Sequence, residues 1–242
     1  MNLRFIFVLI PGCCLVFPLH SGAQTIPADT AFSRQALAAL EQLYKKETAE
    51  NLHLYNGTEY LPRGHGIKGF PFFSAPGLLN GSVLYDGNLY SDVAMQYDLE
   101  EDNLVINDYS GHLSLRLVKN KVRWFTLGGH RFVYLTEGRG LPVTGFYENL
   151  YSGKAGAWAR RQKKVLSLDA SGSDASYRSY DDYFIERAGT WFVIDNERAL
   201  LAALSDKKDL LKKFIRSNKL RFKKDPEAFV ARTAEYYTEL KD

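Results

Sequence analysis

From 81 to 195 the chain alternates apolar and polar residues in short runs, and turn-forming pairs separate the runs. No helix-length segment interrupts the stretch, so parallel βαβ architecture is disfavoured and antiparallel pairing is expected. Leu89, Val93, Met95 and Tyr97 fall on one face of a strand, with Asp92, Ala94 and Gln96 on the other. Leu113, Leu115 and Leu117 repeat the pattern around Ser114 and Arg116. Turn pairs occur at Asp86-Gly87, Asp102-Asn103, Asn120-Lys121, Gly128-Gly129 and Ala188-Gly189. The clearest hairpin joins 122–127 to 131–135 through Gly128-Gly129, because two glycines readily supply the positive φ pair of a type I′ turn. Roughly nine to eleven strands are expected, as a meander or a curved, half-barrel-like sheet.

Helical periodicity flanks this block. Phe32, Ala36, Leu37, Leu40, Leu43 and Tyr44 recur at helical spacing over 30–50, capped by Asp29 or Thr30. Residues 51–80 are punctuated by Gly and Pro but carry Phe70, Phe72 and Phe73, so an ordered, extended loop is expected rather than a disordered linker. Two helices are expected over 196–242. The first carries a stripe from Leu200 to Ile215 with Ser205 as a potential cap inside it. The second opens with Asp225-Pro226-Glu227, an N-cap, a proline at the first helical position and an acid at the positive dipole end. Phe229, Val230, Thr233, Tyr237 and Leu240 form its apolar face. The layout predicts an α+β domain with one N-terminal and two C-terminal helices, the terminal helices covering one face of the sheet.

The first 23 residues read as an export signal. Arg4 precedes apolar runs at 5–10 and 15–19, and Ser21-Gly22-Ala23 offers a small-x-small cleavage site. The expected mature chain is 24–242, a single domain. Both cysteines, Cys13 and Cys14, fall inside the signal, which leaves no disulfide, thiolate nucleophile or thiolate metal site in the mature chain. A lipoprotein reading with cleavage before Cys13 is the rival. Pro11 and the short apolar run before Cys13 weigh against it. No later segment approaches the roughly 20 apolar residues of a membrane span, so a peripheral protein is expected.

The sequence holds no serine-hydrolase elbow, P-loop or dinucleotide fingerprint. His53, His65, His112 and His130 show no metal-ligand spacing, and no metal or cofactor is expected. His65 between two glycines reads as a loop residue. Ser-Gly-Asp chemistry at 169–174 reads as a loop before it reads as a calcium site. Carboxylates at Glu100-Glu101-Asp102 and Asp181-Asp182 read first as solvated turn charges, since adjacent acids in a strand face opposite ways. Two of them across one cleft would instead suit glycoside hydrolysis.

Two features suggest recognition. Residues 205–224 carry nine Lys or Arg against two Asp, and Lys207, Lys208, Lys212, Lys213 and Arg216 lie at its heart; Arg160-Arg161-Gln162-Lys163-Lys164 is a second basic run. For an exported chain, anionic lipid or an acidic partner fits these better than nucleic acid, and a solvated helix face is the plain alternative. Tyr147, Tyr151, Tyr180 and Tyr183 could form a sugar- or peptide-binding platform, or pack within the sheet.

LYNG at 54–57, IKGFPFF at 67–73, GSVLYDGNLY at 81–90, QYD at 96–98, TGFYENLYSG at 144–153 and KFIRSNKLRFKKD at 213–225 stand together. In these segments the chain resembles a group of uncharacterised secreted proteins of Bacteroidota. The resemblance implies an envelope setting and carries over no catalytic residue. The expected function is a non-enzymatic binding or accessory protein of the periplasm or outer-membrane periphery, recognising an outer-membrane receptor, a lipid or a glycan. The alternative is a secreted glycan hydrolase with paired carboxylates.

Overall fold

A computed structural model describes residues 53–62, 66–167 and 175–240, together with Leu37 and Leu40. The chain divides into two units, Met1–Lys45 and Lys46–Asp242. In the first, Leu37 and Leu40 are helical and exposed; the rest of the expected helix, the export signal and both cysteines lie outside the described residues. So do His65 and the 169–174 loop.

The second unit contains strands β1 (Thr58–Glu59), β2 (Leu79–Tyr85), β3 (Asn88–Asp98), β4 (Asn103–Asn107), β5 (Ser114–Arg116), β6 (Val122–Leu127) and β7 (His130–Leu135). They continue as β8 (Gly145–Tyr151), β9 (Gly156–Arg160), β10 (Lys163–Ser167), β11 (Ala175–Ser179), β12 (Asp182–Arg187) and β13 (Thr190–Ile194). Eleven form one antiparallel sheet in the order β1-β5-β4-β3-β2-β6-β7-β8-β9-β12-β13, and β10 and β11 form a separate hairpin. The sheet is curved and unclosed. Turn chemistry explains much of this connectivity. Asp86-Gly87, Gly128-Gly129 and Ala188-Gly189 each supply two consecutive positive φ angles, as type I′ hairpins require.

One strand departs from simple alternation. Leu89 is exposed, whereas Tyr90, Met95 and Tyr97 are buried. The β2–β3 register shifts between Gly81 and Val83, opposite Asp92, which sits at φ 57°. This irregularity inserts a residue and reverses the parity of everything before it, so Leu89 moves to the solvent face.

The extended loop is held strand-like against the sheet. Phe73 N donates to Tyr97 O and Leu99 N donates to Pro71 O, while Lys68 N donates to Ala175 O of β11. Its aromatics pack onto the core, and Phe72 is buried against Tyr60 and Val105. The neighbouring core is aromatic: Tyr97, Phe125, Phe132 and Phe146 stack edge-to-face or flat at centroid distances of 4.9–5.7 Å.

Three C-terminal helices are described: α1 (Glu197–Ala203), α2 (Lys208–Ser217) and α3 (Pro226–Glu239). The expected single helix over the first stripe is broken by a 3₁₀ turn at Ser205–Lys207. Asp206 in that turn reaches back to Arg187 and to the Tyr237 hydroxyl, which anchors the break. Asn196 caps α1 and Asp225 caps α3, each accepting from a backbone N–H three residues on. Helix α3 packs on β8, β9 and β12, and α1 packs on β12 and β13. The strand surface beneath them is small and aliphatic: Ala155, Ala157 and Ala159 are fully buried among Ile185, Leu200, Leu211, Phe229 and Val230. A Cβ at Gly153 would strike the side chains of Thr238 in α3 and of Tyr151, so glycine is required for that approach.

Candidate functional site

The structure separates the four tyrosines. Tyr147 is fully buried, donates its hydroxyl to Val143 O at 2.6 Å and packs its ring against Phe184 and Trp191. Tyr183 is buried against Phe222. Burial pushes both hydroxyls up to a pKa of about 12. Tyr151 is half-buried beside the helices, and only Tyr180 is exposed, with Lys164 5.5 Å above its ring. Three of the four therefore serve packing first.

The basic helical segment remains on the surface. Lys208, Lys213, Arg216, Lys219, Arg221, Lys223 and Lys224 are exposed and Lys212 is half-buried, while Leu211 and Ile215 turn inward. These eight cations make no side-chain hydrogen bond or ion pair among the described residues. Lys207 differs, being half-buried and already engaged. Of the segment's two acids, Asp206 is drawn to Arg187 at 2.8 Å and to Tyr237 at 2.9 Å, so it does little to offset the lysines. Arg216, Lys219, Arg221 and Lys224 line a surface groove of about 670 Å³ with Ile215, Leu220 and Glu197. Four cations converge there beside apolar side chains.

The second basic run turns the other way. Arg161 is only 9% exposed. Its Nε donates to Glu148 at 2.6 Å, one terminal nitrogen to Asp181 at 2.8 Å and the other to Glu227 at 2.5 Å. Burial opposes this charge, but Glu148, Glu227 and Asp181 outweigh burial and hold the guanidinium above its ordinary pKa. Glu148 is itself 2% exposed, and its second oxygen meets His130 Nδ1 at 2.5 Å. Lys163 donates to Phe70 O at 3.0 Å and Phe72 O at 2.7 Å, with burial lowering its pKa. A cleft of about 380 Å³ opens over this cluster, lined among others by Phe73, Ser74, His130, Arg161, Lys163 and Asp181.

Spacing does not reveal this cleft, because its residues come from the extended loop, β7, the β9–β10 junction, the approach to β12 and the first turn of α3. One signal was present: Glu148 is a charge in the middle of an aromatic strand, GFYENLY. Asp181 and Asp182 diverge as expected, Asp181 to Arg161 and Asp182 to Gln162. Asp102 departs from the expected solvated turn acid. It accepts from the Tyr97 hydroxyl at 2.7 Å and from Lys119 at 3.2 Å, and burial raises its pKa against the pull of Lys119. Among the described residues no group of three or more His, Cys, Asp or Glu is arranged to hold a metal ion. No helix among them is long and apolar enough to cross a membrane. No family model, curated protein or solved structure matches the chain.

Proposed function

We propose that this is an exported envelope protein that docks through its C-terminal helices onto an anionic amphiphile surface. One observation carries the reading: eight cations on α2 and the turn segment after it make no side-chain hydrogen bond or ion pair among the described residues, while the fold engages Asp206 elsewhere. Each such cation near an anionic lipid surface contributes on the order of 1 kcal/mol. The aromatic rings that fill the core over the sheet favour docking on the outside over carriage of a lipid within it. The sequence-level export signal and the resemblance to secreted Bacteroidota proteins support the setting.

The glycan-hydrolase alternative draws support from Asp181 and Glu227, which line one cleft. Both, however, accept from Arg161. Each thus spends an oxygen on the guanidinium that joins them, which accounts for their placement by the buried ion-pair cluster.

The test is mild-detergent recovery of the tagged protein from its own envelope, followed by identification of what accompanies it. Anionic lipid enriched over the bulk envelope is the expected result. A single outer-membrane protein in fixed ratio would make this an accessory subunit instead. Recovery of the protein with neither would contradict docking.

A further inference from the structure

We infer that the groove beside the first half of β3 takes an extended, basic peptide segment of a partner, added to the sheet as a strand. β2 pairs along β3 from Asn88 to Met95, whereas β4 pairs only with Met95–Asp98. Over 88–93, β3 therefore has a strand on one side only among the described residues, an open edge about 20 Å long at the antiparallel rise. The β4–β5 hairpin explains the gap. β4 ends at Asn107, and Asp108 N donates to Leu113 O at 2.8 Å, which turns the chain back into β5. The two-residue turn at Asp86-Gly87 makes Tyr85 and Asn88 a bonded pair, so Leu89 directs its backbone N–H and C=O away from β2.

A groove of about 530 Å³ runs along this open edge. Residues 88–94 line it in unbroken succession, with side chains of both faces, as a strand approached from its edge does. Tyr55 and Tyr109 also line it, their rings 6.4 Å apart at 70°. Tyr109 is 84% exposed and Leu89 59%, so the fold itself covers neither. Backbone groups on an open edge are matched by another backbone, and alternate side chains of an added strand meet the two faces of the groove.

The lining also sets the charge of the occupant. Asp92 and Asp108 belong to it, and no Lys, Arg or His does. Asp92 accepts from the Asn80 amide at 2.9 Å, a neutral partner that leaves its charge in place. Hydrogen bonds from the Ser110 hydroxyl and from backbone N–H groups hold the Asp108 carboxyl below the usual carboxylate range. A Lys or Arg on the added strand meets these carboxylates, and the exposed ring of Tyr109 offers a face to the same cation. The irregularity at Asp92 breaks regular pairing along β3, which keeps the addition short and the edge from stacking further copies. This site is independent of the C-terminal cations, which lie on other elements and carry the opposite charge.

The experiment selects a random heptapeptide library, displayed on phage, on the purified protein. Enrichment of basic sequences is expected. Synthetic copies should bind one to one in fluorescence anisotropy and slow amide exchange over 88–94. Methylating alternate backbone nitrogens of such a peptide should weaken binding at least about tenfold in one register and spare it in the other, because a strand turns every second N–H to its neighbour. Tyr109→Ala and Asp92→Asn should each weaken binding about fivefold or more. Tyr109 is exposed, and Asn accepts the left-handed φ of 57° at position 92 as Asp does, so both variants should keep their thermal midpoints. No enrichment, slowed exchange elsewhere, equal effects of the two methylation registers, or binding unchanged in both variants would overturn the proposal. So would capture of an oligosaccharide, and no peptide, in this groove.

Discussion

Arg161 and the cations of α2 carry the same charge and serve opposite ends. Arg161 is buried, with its nitrogens directed at three carboxylates from three parts of the chain. The cations of α2 and the segment after it are exposed, apart from the half-buried Lys212, and make no ion pair among the described residues. Sequence composition treats the two runs alike, because both are clusters of Lys and Arg. What separates them is whether distant acids arrive. The buried run ties β8, the β9–β10 junction and α3 together, and the exposed run is left for something outside the molecule.

The largest expected effect breaks the buried side of this contrast. Arg161→Met leaves Glu148 buried without its strongest partner and should cost about 3–5 kcal/mol in urea denaturation. A loss no larger than that of an exposed lysine would show that the cluster is not structural. Next comes the layer beneath α3. Ala157→Leu adds volume where the strand face must stay small, and overpacking of that kind costs about 1–3 kcal/mol. The helical layer should loosen first, seen as faster amide exchange in α3 than in β2 and β6.

A smaller effect concerns alkaline pH. The folded chain holds the Tyr147 and Tyr183 hydroxyl protons up to about pH 12, because burial opposes the phenolate, whereas the unfolded chain releases them near 10. A raised folded pKa means stability is intact below pH 10 and falls as pH climbs from 10 to 12. Replacing both by Phe should make the decline in thermal midpoint over that window shallower, while the share owed to Tyr60, Tyr85 and Tyr97, whose hydroxyls burial also pushes up, remains. The smallest stability effect is expected on the exposed side of the contrast. Reversing Lys212, Lys213, Arg216 and Lys219 to Glu should change stability by no more than about 0.5 kcal/mol per site in the same urea measurement.

Much of the fold was legible because it rests on local chemistry. The Gly128-Gly129 turn and the Asp225-Pro226 helix start are properties of neighbouring residues, and both form as expected. The parity of Leu89 was not legible, since the irregularity that reverses it depends on pairing between β2 and β3. The third helix was hinted at by Ser205, but the contacts of Asp206 with Arg187 and Tyr237 that fix the break span 19 and 31 residues. The basic helix could be read from its spacing. The cleft could not, because Ser74, His130, Glu148, Arg161 and Glu227 meet only after the sheet, the loop and α3 have assembled.

The most direct test of the account is flotation of the protein, recovered from its own envelope, with vesicles of zwitterionic lipid lacking or containing an anionic fraction. The account predicts salt-sensitive binding only to the anionic vesicles. It also predicts at least about a hundredfold weaker binding when the four α2-side cations are reversed, while the fold is unchanged. Equal binding to both vesicle types, or binding indifferent to the reversal, would contradict it.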